Sequence, residues 1–397
     1  MNLFEQQSGR RRRRQRLSTN FWKVVVCGAF LLELQLAFVW FHSDLDEATN
    51  SRSNRIVVEH VSDRTYEYAV NREPIFPHLV VADDNMQPEH DQIFAIENGR
   101  NKSIAMLLEA GVRQKDIQAI QETTNIPAWS QILQNYGEEP VILGLEQCQA
   151  YRETVQPKHR FVAPAGIFST GTNLFHKLLT ENCKPHVYVK KNRFVTWQVP
   201  WGKHNPEFAR GRYSPAITAH HNQSAVLPVV TVRHPYSWLE SICIKYYNLI
   251  WEHDPDKCPK ELALHRNVTA EFGVAPDTVY DSVIHAWRDW NAGYFEQQSY
   301  PMLIVRHEDL VFRPKAVVSK VCYCVGGMMQ KEFSYQTKTA KTGPGHGDDR
   351  IDLLQAWTKY GQPLRKYRKK FNSLDWDVID SVLKQDHGMM DAFHYPR

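Results

Sequence analysis

One stretch of the sequence, Phe161 to Asn182, has the pattern of a buried strand, a glycine turn and a helix. Glycines stand in the turn at Gly166 and Gly171, and the apolar face of the helix consists of Leu174, Phe175, Leu178 and Leu179. Such a turn directs backbone N–H groups into a concavity, and the helix adds about half a positive charge at its N-terminus. The stretch therefore predicts a loop that binds phosphate.

The two glycines have the spacing of a P-loop, but the residues after the second glycine differ. Nucleotide triphosphatases place Lys and then Ser or Thr there, whereas this chain has Thr172 and Asn173. The pattern favours the fold and argues against an ATPase. A glycine turn between a strand and a helix can be purely structural. A functional role for this turn therefore requires further motifs elsewhere in the chain.

The chain has 397 residues and 42% apolar composition, enough for one large or two ordinary domains with a sizeable core. Its formal net charge is +4, but the excess lies in an arginine run between Arg10 and Arg16. This placement indicates membrane topology and not a nucleic-acid partner.

An apolar run from Phe21 to Phe41 follows the arginines, and its 21 residues would span about 31 Å as a helix. Glu33 opposes insertion into a bilayer, but the surrounding Leu, Val and Phe side chains outweigh it. Acidic residues after the run, among them Asp44 and Asp46, predict a cytosolic N-terminus and a lumenal body. We expect a single-pass type II signal anchor, with a cleaved signal peptide as the alternative.

Composition and pattern divide the chain into five parts. We expect a cytosolic basic tail at 1–20, the transmembrane anchor at 21–41, a lumenal stem at 42–90, a helical prelude at 91–154 and the catalytic domain at 155–397. The stem is polar with scattered prolines, which is typical of an unpacked spacer. A strand is expected from Pro140 to Leu145, at the end of the prelude.

Two further features agree with a lumenal body. Glycosylation sequons begin at Asn101, Asn222 and Asn267, all after the apolar run. Six cysteines also follow that run, namely Cys148, Cys183, Cys243, Cys258, Cys322 and Cys324. They permit three disulfides among about 15 pairings, and no pair has the spacing of a zinc ribbon. We therefore expect disulfides, a glycoprotein and no structural metal.

A second strand–turn–helix pattern begins with the β-branched run from Leu227, which is typical of a central parallel strand. The run ends in Arg233, where a P-loop ATPase carries an Asp that organises Mg²⁺. Arg233 can bind a phosphate bidentately, and Ser241, two helical turns further on, can place its hydroxyl near the same anion. The alternative is an Arg paired with a local carboxylate and a Ser that faces solvent. We expect the helix of this unit to extend to about Trp251.

Three separated motifs resemble those of the sulfotransferases that use 3′-phosphoadenosine-5′-phosphosulfate (PAPS). They are Phe168-Ser-Thr-Gly-Thr-Asn173, similar to the 5′-phosphosulfate loop, Val232 to Ser241, similar to the 3′-phosphate motif, and Val305 to Leu310, similar to a strand and acidic turn near the end of the domain. The resemblance implies that PAPS is the cofactor, that no metal is needed, and that the cofactor-binding residues are Ser169, Thr170, Gly171, Thr172, Asn173, Arg233 and Ser241.

The chain departs from the family at one position. Many members carry Lys or Arg two residues before the second glycine of the loop, where the cation stabilises the leaving phosphate oxygen, but this chain has Ser169. Backbone amides of the loop can replace that cation, or another lysine can reach the site. Lys177, Lys191 and Lys203 are the candidates, and the sequence does not rank them.

The acceptor hydroxyl needs a general base near the loop. Relatives use His or a carboxylate from the segment after the first helix, and the turn WGKHNP of this chain offers Lys203 and His204 there. We predict catalytic roles for both, with His204 as the base. The competing residues are His220, His221 and Glu207.

The expected fold class is α/β, a P-loop-like three-layer sandwich with a central parallel sheet, preceded by a transmembrane helix and a stem. The expected function is sulfonate transfer from PAPS to a hydroxyl acceptor, a glycan or a secreted glycoprotein, in the Golgi lumen. The expected partners include the membrane, through one helix, and no nucleic acid. Three alternatives stay open: a protein-tyrosine sulfotransferase, a lumenal nucleotide-dependent kinase, and a non-catalytic relative of the fold, which Ser169 favours.

Overall fold

The computed structural model describes residues 88–187, 194–215, 222–341 and 351–396. In these ranges the strands are β1 (Ile142–Leu143), β2 (Phe161–Ala165), β3 (Cys183–Pro185), β4 (Val226–Val232), β5 (Leu249–Ile250), β6 (Val268–Ala270), β7 (Thr278–Tyr280), β8 (Leu303–Arg306) and β9 (Gly327–Met329). The α-helices are α1 (Pro88–Glu109), α2 (Gln114–Thr123), α3 (Trp129–Tyr136), α4 (Cys148–Thr154), α5 (Thr172–Asn182), α6 (Pro235–Ile244), α7 (Val283–Glu296), α8 (His307–Phe312), α9 (Pro314–Cys324), α10 (Leu353–Tyr360), α11 (Arg365–Arg368), α12 (Ser373–Leu383) and α13 (Met389–Ala392).

The main sheet has four strands in the order β1-β8-β4-β2. β4 lies in its centre and pairs in parallel with both β2 and β8. β3 pairs with β9, and β5, β6 and β7 form a third sheet. The glycine turn and Arg233 follow β2 and β4, so they emerge at the same edge of the main sheet.

The expected fold class needs correction, because the main sheet is mixed and not a central parallel sheet. β1 runs antiparallel to β8, with Ile142 opposite Val305. A two-residue strand at the edge needs no crossover connection, so it can join a parallel sheet in the opposite direction. The structure is therefore a mixed α/β fold in place of the three-layer sandwich with a parallel sheet.

The expected membrane anchor also needs correction. Across the described residues, no helix is both long enough and apolar enough to span a bilayer. The run from Phe21 to Phe41 and the stem up to residue 87 lie outside the described residues. The type II topology, the Golgi localisation, the membrane contact and the secreted glycoprotein acceptor all depended on that anchor, and we withdraw them.

Residues of the main sheet alternate between two buried clusters, one on each face. Ala163 and Val230 belong to one cluster, whereas their neighbours Val162 and Val229 belong to the other. Successive side chains of a strand point to opposite faces, so a strand that is apolar throughout must be covered on both. This explains why all seven residues of β4 are buried.

Three disulfides join the six cysteines, as the even number permitted. Cys148–Cys324 links α4 to α9, Cys183–Cys322 links β3 to α9, and Cys243–Cys258 closes a loop after α6. The expectation of disulfides is thus confirmed, with pairings that the sequence did not decide.

Candidate active site

Three segments meet where the parallel strands of the main sheet end. The glycine loop follows β2, Arg233 follows β4, and His307 follows β8. Together with residues from the 194–215 segment and from α10, they line one cavity. The carboxyl edge of a parallel sheet is a common ligand-binding place in open α/β folds.

The glycine loop has a left-handed backbone at two positions, Ser169 with φ 63° and Gly171 with φ 91°. α5 begins directly after it, at Thr172. A Cβ atom on Gly171 would lie 2.3 Å from His307 Nδ1, so only glycine fits between the loop and the end of β8. The helix N-terminus is thereby brought to the cavity wall.

Thr170 is the one predicted site residue that does not line the cavity. Its hydroxyl donates to the Ile167 carbonyl at 2.8 Å and lies 3.0 Å from the Thr231 hydroxyl. Thr170 is buried and holds the loop against β4. Its role in this structure is to shape the loop.

Arg233 folds back along the first two turns of α6. Its Nε donates to Ser237 Oγ at 2.9 Å, and its Nη2 donates to the Ser237 carbonyl at 2.6 Å and to Ser241 Oγ at 2.8 Å. Nη1 donates to the Ser169 carbonyl at 3.0 Å, which connects the two motifs directly. A guanidinium has about five N–H donors, and all but one of those of Arg233 already donate to these oxygens. To bind a phosphate through two N–H groups, Arg233 must therefore release one of the oxygens.

Two cations converge on the Ser241 hydroxyl. Arg233 donates to it, and Lys359 Nζ of α10, which lies just outside the cavity lining, is 3.5 Å away. Lys359 also lies 4.0 Å from Glu240. Arg233 and Ser241 are both buried, so the charge at this end of the cavity is shielded from water.

Lys203 occupies the end of the cavity next to the start of α5. Its Nζ donates to Asn173 Oδ1 at 2.6 Å and lies 3.8 Å from the centre of the Trp197 ring. Burial lowers the pKa of Lys203 to about 7, since its neighbours here are an amide and a ring. Of the three lysines proposed to replace the loop cation, Lys203 lines the cavity, Lys177 does not, and Lys191 lies outside the described residues.

Two hydrogen bonds to Gly166 fix Lys203 and His204 to the loop, one through the Lys203 backbone and one through the His204 ring. The Gly166 N–H donates to the Lys203 carbonyl at 2.7 Å, and His204 Nδ1 lies 2.7 Å from the Gly166 carbonyl. Because a carbonyl oxygen only accepts, Nδ1 must carry the proton, and in the neutral ring Nε2 then has the lone pair. His204 also lines the cavity.

The structure brings most of the predicted site residues together along this cavity. Its lining includes Ser169, Gly171, Thr172, Asn173, Lys203, His204, Arg233 and Ser241. Of the competing bases, Glu207 is absent from that lining, and His220 and His221 lie outside the described residues.

Sequence reasoning missed several residues of the cavity. They are His307, Trp197, Tyr247, Lys338, Lys341 and Tyr360. The position of His307 directly after β8, matching that of Arg233 after β4, was a usable signal. The lysines of the 336–341 segment had none, because the chain returns to the cavity only through tertiary folding.

The described lining suits a ligand with several negative charges. It includes Lys203, Arg233, Lys338 and Lys341 but one carboxylate, Asp352, whose Oδ1 accepts from the Gln355 N–H at 2.8 Å. Two buried groups of the lining, Ser169 Oγ and the His307 ring, have no hydrogen-bond partner within the described residues. Phosphate groups suit a cationic cavity with spare donors beside a helix N-terminus.

The fold and the cavity define an α/β protein with a cationic site at the carboxyl ends of parallel strands. No protein-family model matches the sequence, and no curated protein matches it either. The chemistry of the cavity is therefore the basis on which a function is inferred.

Proposed function

We propose that this protein is a PAPS-dependent sulfotransferase that transfers a sulfonate group to a hydroxyl acceptor. The observation that carries the proposal is the buried Ser241 hydroxyl, held between Arg233 at 2.8 Å and Lys359 at 3.5 Å. A hydroxyl between two cations is suited to the oxygens of a phosphate monoester. The resemblance of the three motifs gives the same assignment.

The two ends of the cavity would hold the two anionic ends of the cofactor. Arg233, Ser241 and Lys359 would bind the 3′-phosphate. The loop amides from Ser169 to Asn173, the α5 N-terminus and Lys203 would bind the 5′-phosphosulfate. Lys203 thereby takes the place of the cation that the loop lacks at Ser169, although it comes from a different segment.

PAPS, when bound, supplies the activated sulfonate. The chain supplies position and charge: His204 Nε2 accepts the proton of the acceptor hydroxyl, and Lys203 stabilises the negative charge that develops on the phosphate side. The lysine and the histidine are adjacent in sequence, and their turn is bonded to Gly166. The two groups therefore lie at one end of the cavity with a fixed separation.

The first test is calorimetric titration of the full chain with 3′,5′-adenosine bisphosphate, with and without Mg²⁺. We expect binding that does not depend on Mg²⁺ and that weakens at least about 100-fold in Arg233→Ala, since a buried charged donor is lost. Arg266→Ala is the matched control, because Arg266 pairs with Glu252 at the surface. Its affinity should equal that of the parent chain.

Two results would overturn the proposal. No bisphosphate binding by the folded parent chain would exclude a PAPS site. Preference for Mg²⁺–ATP over the bisphosphate would instead favour a nucleotide-dependent kinase. A thermal unfolding curve for each variant shows whether the variant is folded, and so whether weaker binding reflects damage to the site or loss of the fold.

A further inference from the structure

A second cavity lies at the opposite edge of the main sheet from the candidate active site. Its lining includes Phe161, the first residue of β2, and Ala225, which directly precedes β4. Pro301, shortly before β8, lines it too. The cavity is therefore at the amino ends of the parallel strands, and the five residues of β2 separate it from the glycine loop by about 16 Å. We call it the amino-edge cavity.

The amino-edge cavity is basic. Its described lining includes Lys158, His159, Arg160 and Arg210 and no carboxylate. Lys158 and His159 are exposed in the turn before β2, and within the described part of the chain their side chains form no hydrogen bond or ion pair. Cations that share a cavity without a carboxylate create a positive potential, which attracts anions.

Arg210 is held in this cavity by ring stacking and not by hydrogen bonds. Its guanidinium carbon lies 3.5 Å from the centre of the Tyr300 ring and 5.9 Å from the centre of the Trp201 ring. Such stacking uses the face of the guanidinium and leaves its N–H donors free. No described residue accepts a hydrogen bond from them: Nε is buried without a partner, and the two Nη atoms are accessible. An arginine in this state can donate to a ligand without giving up a bond to the protein.

The charge of Arg210 is poorly compensated. Burial lowers the pKa of its guanidinium, and the nearby groups of Tyr300 and Glu207 offset that effect only in part. Glu207 belongs to the turn just before Arg210, but the two side chains, both among the described residues, form no ion pair. A bound anion would supply the missing counter-charge and accept from the Nη groups.

The backbone on the C-terminal side of Arg210 is fixed by one glutamine. The Gly211 N–H donates to Gln223 Oε1 at 2.8 Å, and Gln223 Nε2 donates to the Arg212 carbonyl at 2.7 Å. The loop that carries Arg210 is therefore ordered before any ligand arrives, and a preorganised site loses less conformational entropy on binding.

We propose that the amino-edge cavity is a second ligand site, which binds a compact oxyanion of two or more charges. Arg210 is its central contact and Lys158 a further one. Several cations in one cavity match an anion of several charges better than a monoanion. Phosphate and carboxylate groups share this chemistry. The inference does not depend on the proposed function, because the two cavities are at opposite edges of the sheet.

The test is calorimetric titration of the full chain with pyrophosphate and, separately, with citrate, in the presence of saturating 3′,5′-adenosine bisphosphate. The bisphosphate occupies the candidate active site, so a further anion must bind elsewhere. We expect saturable binding, and the tighter of the two ligands shows whether phosphate or carboxylate oxygens are preferred. The affinity measured without bisphosphate for Arg233→Ala, in which the other cavity has lost its central cation, should agree within about twofold.

Variants on one loop separate the site from net charge. Arg210→Met keeps an unbranched stem on Tyr300 but removes the charge, and it should weaken binding at least about tenfold, since a charge-assisted hydrogen bond is lost. Lys158→Met should weaken it about threefold. Arg212→Met is the matched control, because Arg212 is exposed and lies outside the cavity lining. Its affinity should stay within about twofold, and bisphosphate affinity should be unchanged in all three variants.

Three results would overturn this inference. One is a folded parent chain that binds neither pyrophosphate nor citrate. Another is equal affinity in Arg210→Met and Arg212→Met, which would leave no special role for Arg210. The third is binding that bisphosphate or Arg233→Ala abolishes, which would place the anion in the candidate active site. If a thermal unfolding curve shows that Arg210→Met is not folded, Lys158→Met, at an exposed position, replaces it in the comparison. Failure to bind the bisphosphate bears on the proposed function alone.

Discussion

Lys203 donates its hydrogen bond to the amide oxygen of Asn173 and not to a carboxylate. The side chain is 9% exposed, so its ammonium form is poorly compensated by protein or solvent. A bound anion would supply the missing counter-charge. The charge state of Lys203 should therefore be coupled to occupation of the cavity.

We predict that bisphosphate binding takes up a proton. With the pKa of Lys203 at about 7, the amine is mostly neutral at pH 8 in the free protein, and a nearby anion raises that pKa. Binding at pH 8 should take up close to one proton, binding near pH 6 should take up almost none, and affinity should fall as pH rises above about 7. Calorimetry in buffers of different ionisation enthalpy measures this number.

Lys203→Met is the matched variant for this prediction, since it keeps an unbranched side chain on Trp197. It should bind bisphosphate more weakly and without proton uptake at pH 8. Uptake that persists in Lys203→Met would assign the proton to another group, for example His204. Binding without any uptake in the parent chain would show that Lys203 is already charged.

His204 makes a second prediction possible, because its two ring nitrogens have separable roles. His204→Asn retains a donor for the Gly166 carbonyl but has no basic nitrogen. Turnover should fall about 100-fold or more, the usual contribution of a general base, while bisphosphate affinity is unchanged. His253→Asn is the control, since His253 lies outside the cavity lining. Normal turnover by His204→Asn would remove His204 from the chemistry.

At the scale of elements, the sequence predicted the strand before the loop well and the element after Arg233 less well. β2 has the expected bounds, Phe161–Ala165, because a buried strand followed by glycine is a local signal. The helix after Arg233, α6, was expected to reach about Trp251 but ends at Ile244. The apolar sequence pattern of α6 continues beyond Ile244, but the chain there contains Tyr247, with a left-handed backbone, and then β5. Both lie in the loop that the Cys243–Cys258 disulfide closes, and a local sequence pattern does not report such a tertiary link.

The loop before α5 permits a prediction about close packing. Gly171 and Gly273 both have positive φ, 91° and 82°, but a Cβ on Gly171 would lie 2.3 Å from His307, while one on Gly273 would meet nothing within 4 Å. Gly273→Ala should cost about 1 kcal/mol for its backbone alone. Gly171→Ala should cost at least about 2 kcal/mol and also weaken bisphosphate binding, because His307 and the loop must separate. Denaturant unfolding measures both; equal losses would show that the contact with His307 is soft.

At the scale of the whole molecule, the three motifs were visible in sequence, but the closure of the cavity was not. The sequence predicted Arg233 as a phosphate-binding residue and His204 as the base, because each belongs to a recognisable local pattern. Lys341 and Tyr360 come from a part of the chain well beyond the third motif, and no local pattern indicates that this part folds back over the loop. The direction of β1 in the sheet could not be predicted either, because hydrophobic periodicity indicates which residues are buried and not which strands pair.

The disulfides differ in how much of the chain they constrain, and this difference leads to a prediction. Cys148–Cys324 joins residues 176 apart, whereas Cys243–Cys258 joins residues 15 apart. Because Cys183–Cys322 already joins the same two segments, Cys148–Cys324 closes an effective loop of only about 37 residues, and in the chain-entropy model it stabilises the protein by about 1 kcal/mol more than Cys243–Cys258. The double variant Cys148→Ala with Cys324→Ala should therefore lose more unfolding free energy than Cys243→Ala with Cys258→Ala. Equal losses in denaturant unfolding would contradict the entropic account here.

Cys322 and Cys324 are two residues apart on α9, and each pairs with a different distant cysteine. Exchanging their partners would change each closed loop by only two residues, so chain entropy does not favour the native arrangement over the swapped one. In the folded chain, only the packing of α9 against α4 and β3 distinguishes the two arrangements. Oxidative refolding from the reduced chain should therefore accumulate a scrambled isomer, and the yield of native protein should depend on a thiol reshuffling catalyst more than on the oxidant.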